Sequence, residues 1–254
     1  RDFMHTAYYK EYSHSLGRDM EFMVYGHSGK PCVVFPAQDG RFFDFANFGM
    51  VDTVKNFIEE GKLQLFCVDS IDLESWSKKD GDYSERISQH ERWFNYVVNE
   101  AVPRFRQIHN ETACEDYQGK FMATGCSMGA YHSANFFFRR PDIFDNLIAL
   151  SGLYDAHFFF PNYNNELIYN NSPAEFLRNI PWNHYYLDMY RNSKIVICVG
   201  QGRWEAECIA DTDKMKEDLE RLQVPAWIDY WGYDVDHDWP WWKVQLPYFL
   251  SHVL

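Results

Sequence analysis

Residues 119–132 read Gly-Lys-Phe-Met-Ala-Thr-Gly-Cys-Ser-Met-Gly-Ala-Tyr-His, and this stretch decides the fold prediction. Residues 121–124 form a mainly apolar run that predicts a short buried strand, and residues 130–139 predict a helix. Between them, residues 125–129 give G-x-S-x-G in the strand–turn–helix setting that a nucleophile elbow requires. The glycines allow close backbone approach at the sharp turn. Ser127 is therefore predicted to be a nucleophile at a helix N-terminus, where free N–H groups and the helix dipole favour negative charge.

The Gly-Cys-Ser-Met-Gly-Ala sequence resembles the elbow of the putative-esterase family of α/β-hydrolases. That family includes esterase D, the antigen 85 mycolyltransferases, feruloyl esterases and siderophore esterases. The resemblance extends over about residues 20–254. It implies an α/β-hydrolase fold and a serine enzyme that acts on a small-molecule ester.

Alternating strands and helices give the same architecture independently of the resemblance. The predicted strands cover residues 6–12, 20–25, 32–35, 63–68, 121–124, 147–150, 195–199 and 226–230. The predicted helices cover residues 50–60, 85–109, 130–139, 212–222 and 239–253. The first two strands are expected to pair antiparallel, and the rest to form a mostly parallel sheet with helices on both faces. We expect one α/β domain over residues 1–254, in which the aromatic-rich residues 154–190 form a lid or substrate-binding insertion.

Composition limits the partners and the compartment. The formal net charge is −13 and no basic cluster occurs, so nucleic acids and anionic membranes are not expected partners. No apolar run approaches the ~20 residues of a membrane span. Six cysteines without a C-x-x-C pair indicate buried thiols in a reducing, cytoplasmic compartment, although Arg1 leaves a removed signal peptide open. The acidic, aromatic-rich composition permits a homo-oligomer without requiring one.

The serine needs a base and a group that orients the base. In α/β-hydrolases these residues follow in the order Ser, acid, His, and His237 comes after the last predicted strand. The sequence His-Asp-Trp-Pro-Trp-Trp at 237–242 resembles the histidine motif of the family. The acid is predicted to be Glu205, because Gly-Gln-Gly-x-x-Glu resembles a glycine-rich turn of the mycolyltransferases. Glu207 and Asp211 are the alternatives, although Asp211 is interpreted as the cap that opens the next helix.

The oxyanion hole requires two converging backbone N–H groups. One is predicted at Met128, the residue after the nucleophile, and the other at Gln38, in the loop after the strand 32–35. That loop lacks the His-Gly-Gly-Gly sequence of many lipases. Trp76 and residues 154–190 are predicted to line the substrate pocket, where aromatic rings would stack on a sugar or phenolic group. Packing of these rings under a lid is the competing interpretation.

Three other functions are weighed against ester hydrolysis. Asp234, Asp236, His237 and Asp238 resemble half of a calcium loop, but the glycine and the closing glutamate are missing, so no metal or cofactor is expected. A carbohydrate-binding module would explain the aromatic content but not the ordered catalytic residues. An acyltransferase of the mycolyltransferase type differs only in using an alcohol instead of water. Hydrolysis of small sugar or phenolic esters is the favoured prediction.

Overall fold

The computed structural model describes residues 4–254, so residues 1–3 of the predicted domain lie outside the described part of the chain. The strands are β1 (Thr6–Ser13), β2 (Arg18–Tyr25), β3 (Lys30–Phe35), β4 (Leu63–Val68), β5 (Phe121–Cys126), β6 (Phe144–Leu150), β7 (Lys194–Val199) and β8 (Trp227–Tyr230). They form one eight-stranded sheet in the order β1-β2-β4-β3-β5-β6-β7-β8. The antiparallel pairing of β1 with β2 and the mostly parallel sheet are as predicted, and β2 also pairs antiparallel with β4.

Helices cover both faces of this sheet. They are α1 (Asp44–Asn47), α2 (Met50–Thr53), α3 (Lys55–Glu59), α4 (Tyr83–Tyr96), α5 (Val102–Ala113), α6 (Met128–Arg139), α7 (Glu166–Asn170), α8 (Pro173–Asn179), α9 (Tyr186–Arg191), α10 (Ala206–Arg221) and α11 (Trp239–Val253). Alternate residues of a strand point to opposite faces. Val33 and Phe35 accordingly join the core beneath α4, α5, α6 and α10, whereas Cys32 and Val34 join the core beneath α2, α3 and α11.

Three predicted helices differ from the observed ones. The predicted helix 85–109 is divided by a π-helical turn at Val97–Ala101, just before Pro103, whose missing N–H and bulky ring disrupt regular α-helical hydrogen bonding. The predicted helix 50–60 breaks at Val54, in a stretch of β-branched residues that favour helix poorly. The predicted helix 212–222 begins earlier, at Ala206.

The parallel strands deliver the candidate residues to one edge of the sheet. Because β3, β5, β6, β7 and β8 run in the same direction, the segments after their carboxyl ends lie side by side. These segments carry Gln38, Ser127, Ser151, Glu205 and His237, in that order.

Residues 154–190 pack against α4 and α6 beside that edge. They contain a 3-10 turn at Ala156–Phe158 and the helices α7, α8 and α9. The Tyr131 hydroxyl on α6 donates a hydrogen bond of 2.6 Å to the Asn171 carbonyl, which joins the insertion to the elbow helix. The role of this segment as a lid or substrate-binding element stays a prediction.

Candidate active site

Ser127 occupies a strained turn between β5 and α6. Its backbone has φ 59° and ψ −121°, a conformation that non-glycine residues rarely adopt. A Cβ atom on Gly125 would lie 2.4 Å from the Gly129 carbonyl oxygen, and one on Gly129 would lie 2.3 Å from the Phe35 carbonyl oxygen. Both positions therefore require glycine, which explains why the G-x-S-x-G sequence folds into this turn.

His237 lies in the loop between β8 and α11 and contacts the serine directly. Its Nε2 atom is 2.9 Å from Ser127 Oγ, and its Nδ1 atom is 2.6 Å from Glu205 Oε1. A carboxylate only accepts hydrogen bonds, so the ring hydrogen is assigned to Nδ1, which leaves Nε2 to accept a hydrogen bond from the Ser127 hydroxyl. The His237 backbone N–H donates to the Arg203 carbonyl at 2.9 Å, and the ring packs edge-on against Trp242.

Glu205 is completely buried, and both oxygens of its carboxylate accept hydrogen bonds. Besides His237, its carboxylate accepts hydrogen bonds of 2.7 Å from the Gly200 N–H and 2.7 Å from the Ser151 hydroxyl. The Trp242 indole in turn donates to Ser151 Oγ at 3.1 Å. A buried carboxylate with several donors is held in one orientation. Ser151 and Trp242 were missed in the sequence, although Ser151 directly follows a predicted strand at the same sheet edge.

The alternative acids do not contact the histidine. Glu207 is exposed in the first turn of α10 and borders the pocket. Asp211 lies inside α10 and accepts a hydrogen bond of 2.7 Å from the Tyr154 N–H, while burial raises the pKa of its carboxyl group. The interpretation of Asp211 as a helix cap is wrong, because α10 begins five residues earlier, immediately after Glu205.

The two predicted oxyanion donors lie at the same pocket as the serine. Gln38 and Met128 line it together with Ser127 and His237. Among the described residues, neither the Met128 nor the Gln38 backbone N–H has a hydrogen-bond partner. The Gln38 side chain donates to Ser77 Oγ at 2.9 Å. An oxyanion hole needs such unpaired backbone donors, and the assignment of Gln38 and Met128 to it stays a prediction.

Trp76 does not line this pocket, which corrects the sequence prediction. Its side chain is 1% exposed, and its indole N–H donates to His90 Nδ1 at 2.9 Å. The ring packs against Tyr131, Phe159 and the neighbouring Phe160. The surrounding segment is polar, so sequence alone gave no sign that tertiary packing covers the ring. The packing interpretation of Trp76 therefore holds.

The pocket is small, with a volume of about 180 Å³. Its lining residues are Gln38, Ser127, Met128, Tyr131, Ser151, Leu153, Phe158, Phe159, Trp204, Glu207, Cys208 and His237. Lysine and arginine do not occur in this lining, and Glu207 is its one carboxylate. Burial raises the pKa of Cys208, so this residue is a thiol rather than a nucleophilic thiolate.

Two groups of side chains in the described residues have metal-ligand spacing. One is Glu205, Cys208 and His237, and the other is Asp155, His157 and Glu175. In the first group, Glu205 and His237 make the hydrogen bonds described above. In the segment 234–238, for which a calcium-loop interpretation is disfavoured, Asp238 caps α11 by accepting from the Trp239 N–H at 2.8 Å, and Asp236 accepts from the Arg203 N–H at 2.7 Å. These carboxylates therefore hold backbone groups at a helix start and a loop.

The family model described as "Putative esterase" matches residues 13–252. The chain belongs to this family. It is thus an esterase, and the predicted family and enzyme class are confirmed. No curated protein sequence matches it.

Three solved structures share the fold. A ferulic acid esterase gives a TM-score of 0.74 at 16% identity over 98% of this chain and 97% of its own. S-formylglutathione hydrolase (FrmB) from Staphylococcus aureus gives 0.67 at 14% identity over 100% and 98%. MPT51 (FbpC1) from Mycobacterium tuberculosis gives 0.68 at 15% identity over 97% and 97%. These matches confirm the α/β-hydrolase fold of the esterase. Within residues 4–254, none of its helices combines the length and apolarity needed to cross a membrane.

Proposed function

We propose that this esterase is a serine carboxylic-ester hydrolase that uses Ser127, His237 and Glu205 on small, uncharged esters such as phenolic or sugar esters. The observation that supports it most is the unbroken chain of hydrogen bonds from Ser127 Oγ through both ring nitrogens of His237 to the buried Glu205 carboxylate. A free serine hydroxyl is a poor nucleophile, and this arrangement supplies both a base and a group that orients it.

In the proposed reaction, His237 Nε2 takes the hydroxyl proton as Ser127 Oγ forms a bond to the ester carbonyl carbon. The carbonyl oxygen becomes an oxyanion that the Met128 and Gln38 N–H groups stabilise. Collapse of this intermediate breaks the bond to the alcohol, which leaves with the proton from His237. Water then attacks the acyl-enzyme, with His237 again acting as base, and the acid is released. Glu205 keeps the imidazole oriented and balances the charge of the imidazolium.

The pocket favours small uncharged substrates. A volume of about 180 Å³ accommodates a short acyl or aryl group rather than a long lipid chain. Phe158, Phe159 and Trp204 offer aromatic surface on which a phenolic or sugar ring can stack. Glu207 adds a negative charge to a lining that contains no compensating lysine or arginine. An ester that carries its own carboxylate should therefore bind less well than an uncharged ester.

Hydrolysis of p-nitrophenyl acetate by wild type and Ser127→Ala tests this proposal. We expect kcat to fall by at least about 10⁴-fold, because the residual rate would come only from binding and the oxyanion donors. A fluorophosphonate should label wild type once, on the peptide that contains Ser127. Turnover that persists in Ser127→Ala would contradict the nucleophile assignment.

Ser133→Ala is the matched control. Ser133 is a buried serine on α6, the helix that follows Ser127, and its hydroxyl donates to the Ala130 carbonyl at 3.0 Å. Ser133→Ala should therefore leave the rate and the labelling unchanged.

Product analysis in the presence of competing sugars should give mainly free acid. Sugar esters as the main product would favour an acyltransferase instead.

A further inference from the structure

The segment that carries Gln38 is held by a buried carboxylate from outside the proposed triad. Asp72 follows β4 and is 2% exposed. One of its oxygens, Oδ2, accepts a hydrogen bond of 3.3 Å from the Asp39 backbone N–H. Asp39 adopts φ 60°, so the peptide next to Gln38 is held in a conformation that is unfavourable for a non-glycine residue.

The other oxygen of the same carboxylate contacts the elbow helix. Asp72 Oδ1 lies 2.9 Å from Nε2 of His132, a residue of α6 that is completely buried. His132 lies four residues after Met128, on the same face of the helix. One carboxylate therefore bridges the two segments that carry the proposed oxyanion donors, with Asp39 beside Gln38 and His132 one turn after Met128.

Further contacts join the segment after β4 to the segment that contains Gln38. The Ser70 hydroxyl donates to the Gly40 carbonyl at 2.7 Å, and the Gln38 amide donates to Ser77 Oγ at 2.9 Å. The Ser77 N–H in turn donates to the Asp72 carbonyl at 2.8 Å. Of these groups, Asp72 is the one that also makes a hydrogen bond to α6, so its carboxylate links the two donor segments.

We propose that Asp72 is a positioning residue for the oxyanion hole. This inference rests on the proposed function, because it assigns Asp72 to the same acyl-transfer step. Asp72 acts through the backbone of Asp39 and the ring of His132 and does not touch the substrate. A displacement of about 1 Å at a catalytic group can cost ~10²-fold in rate. The expected defect is therefore in kcat, whereas substrate binding in the ground state should change little.

Asp72→Ala and Asp72→Asn separate this role from a general loss of structure. In Asp72→Ala both acceptors are removed, and we expect kcat for p-nitrophenyl acetate to fall about 10²-fold with KM within threefold. Asp72→Asn keeps one acceptor oxygen and should recover part of the rate, to about three- to tenfold below wild type. Full recovery is not expected. If the amide oxygen accepts from the Asp39 N–H, the amide NH2 group faces His132 Nε2. The ring hydrogen of His132 must then move to Nδ1, where it would be a buried donor without a partner.

A transition-state analogue gives a readout that a purely structural role would not move. The inhibition constant of a trifluoromethyl ketone, whose adduct carries an oxyanion, should rise in parallel with the loss of kcat/KM in both variants. Fluorophosphonate titration should still find one reactive Ser127 per folded chain. Asp52→Ala, which removes an exposed aspartate of α2, is the control and should match wild type.

Several outcomes would overturn the inference. These are wild-type kcat per titrated site in Asp72→Ala, an Asp72→Asn variant as slow as Asp72→Ala, or trifluoromethyl ketone affinity that does not follow kcat/KM. If Asp72→Ala does not fold, unchanged kcat in Asp72→Asn would overturn it alone. Failure of the proposed function is distinguishable, because wild type would then not be titrated at Ser127.

Discussion

Two carboxylate–histidine pairs contact the elbow region, one at Ser127 and one within α6, and they differ in what surrounds them. In the first, Glu205 and His237 are 2.6 Å apart, and the free ring nitrogen meets Ser127 in a pocket. In the second, Asp72 and His132 are 2.9 Å apart, and both side chains are buried. The free ring nitrogen of His132 has no partner among the described residues and no access to a pocket.

Because both pairs make the same contact, the carboxylate–histidine contact alone does not support our catalytic proposal. What distinguishes the first pair is a hydroxyl within reach of the second ring nitrogen and 21% exposure of the His237 side chain, which gives substrate and water access. In the second pair, the buried second ring nitrogen has no hydroxyl within hydrogen-bonding distance among the described residues. Its contacts support the positioning role proposed above for Asp72. The two pairs should therefore respond differently when either histidine is removed.

Loss of His237 should have the largest effect on activity. His237→Ala removes the proposed base, so we expect kcat for p-nitrophenyl acetate to fall by about 10⁴-fold or more. Stopped-flow or steady-state absorbance of p-nitrophenol measures this directly. Far-ultraviolet circular dichroism should show that the variant remains folded. A loss below about tenfold would mean that another group takes the serine proton, and the distinction between the pairs would fail.

Loss of the Glu205 charge should have the next largest effect. Glu205→Gln keeps the shape of the side chain but places an N–H group among three donors, so His237 loses its orientation. We expect kcat to fall by about 10³-fold. Asp211→Asn is the matched control, because Asp211 is also buried on α10 but contacts Tyr154 rather than His237. A larger loss in Asp211→Asn than in Glu205→Gln, per folded chain, would reverse the choice of acid.

The first pair could be predicted from the sequence and the second could not. Ser127, Glu205 and His237 each follow a strand, and the chain order of the fold assigns them to one sheet edge. Asp72 and His132 are separated by 60 residues and meet through helix packing that no local pattern encodes. The prediction that Trp76 lines the substrate pocket was wrong for the same reason. The polar residues around Trp76 predict an exposed loop, but aromatic side chains of the insertion cover the Trp76 ring.

Loss of His132 should mainly affect stability. His132→Ala leaves the Asp72 carboxylate buried without its ring donor, which should cost about 3 to 5 kcal/mol in the free energy of unfolding. His237→Ala should cost less than about 2 kcal/mol, because Glu205 keeps the Gly200 and Ser151 donors. Urea denaturation of both variants measures the contrast. Equal losses would show that burial does not separate the two pairs as described.

The smallest predicted effect concerns the charge of Glu207, which lines the same pocket as His237. Glu207→Gln should raise kcat/KM for the anionic mono-p-nitrophenyl succinate about fivefold, because a repulsion of roughly 1 kcal/mol is removed, and should leave p-nitrophenyl butyrate nearly unchanged. The gain should shrink at high salt, where charges are screened. Glu217→Gln removes an equal exposed charge about 15 Å farther along α10 and should give no gain. Equal gains in both variants would assign the effect to net charge, and Glu207 would then have no part in selecting uncharged esters.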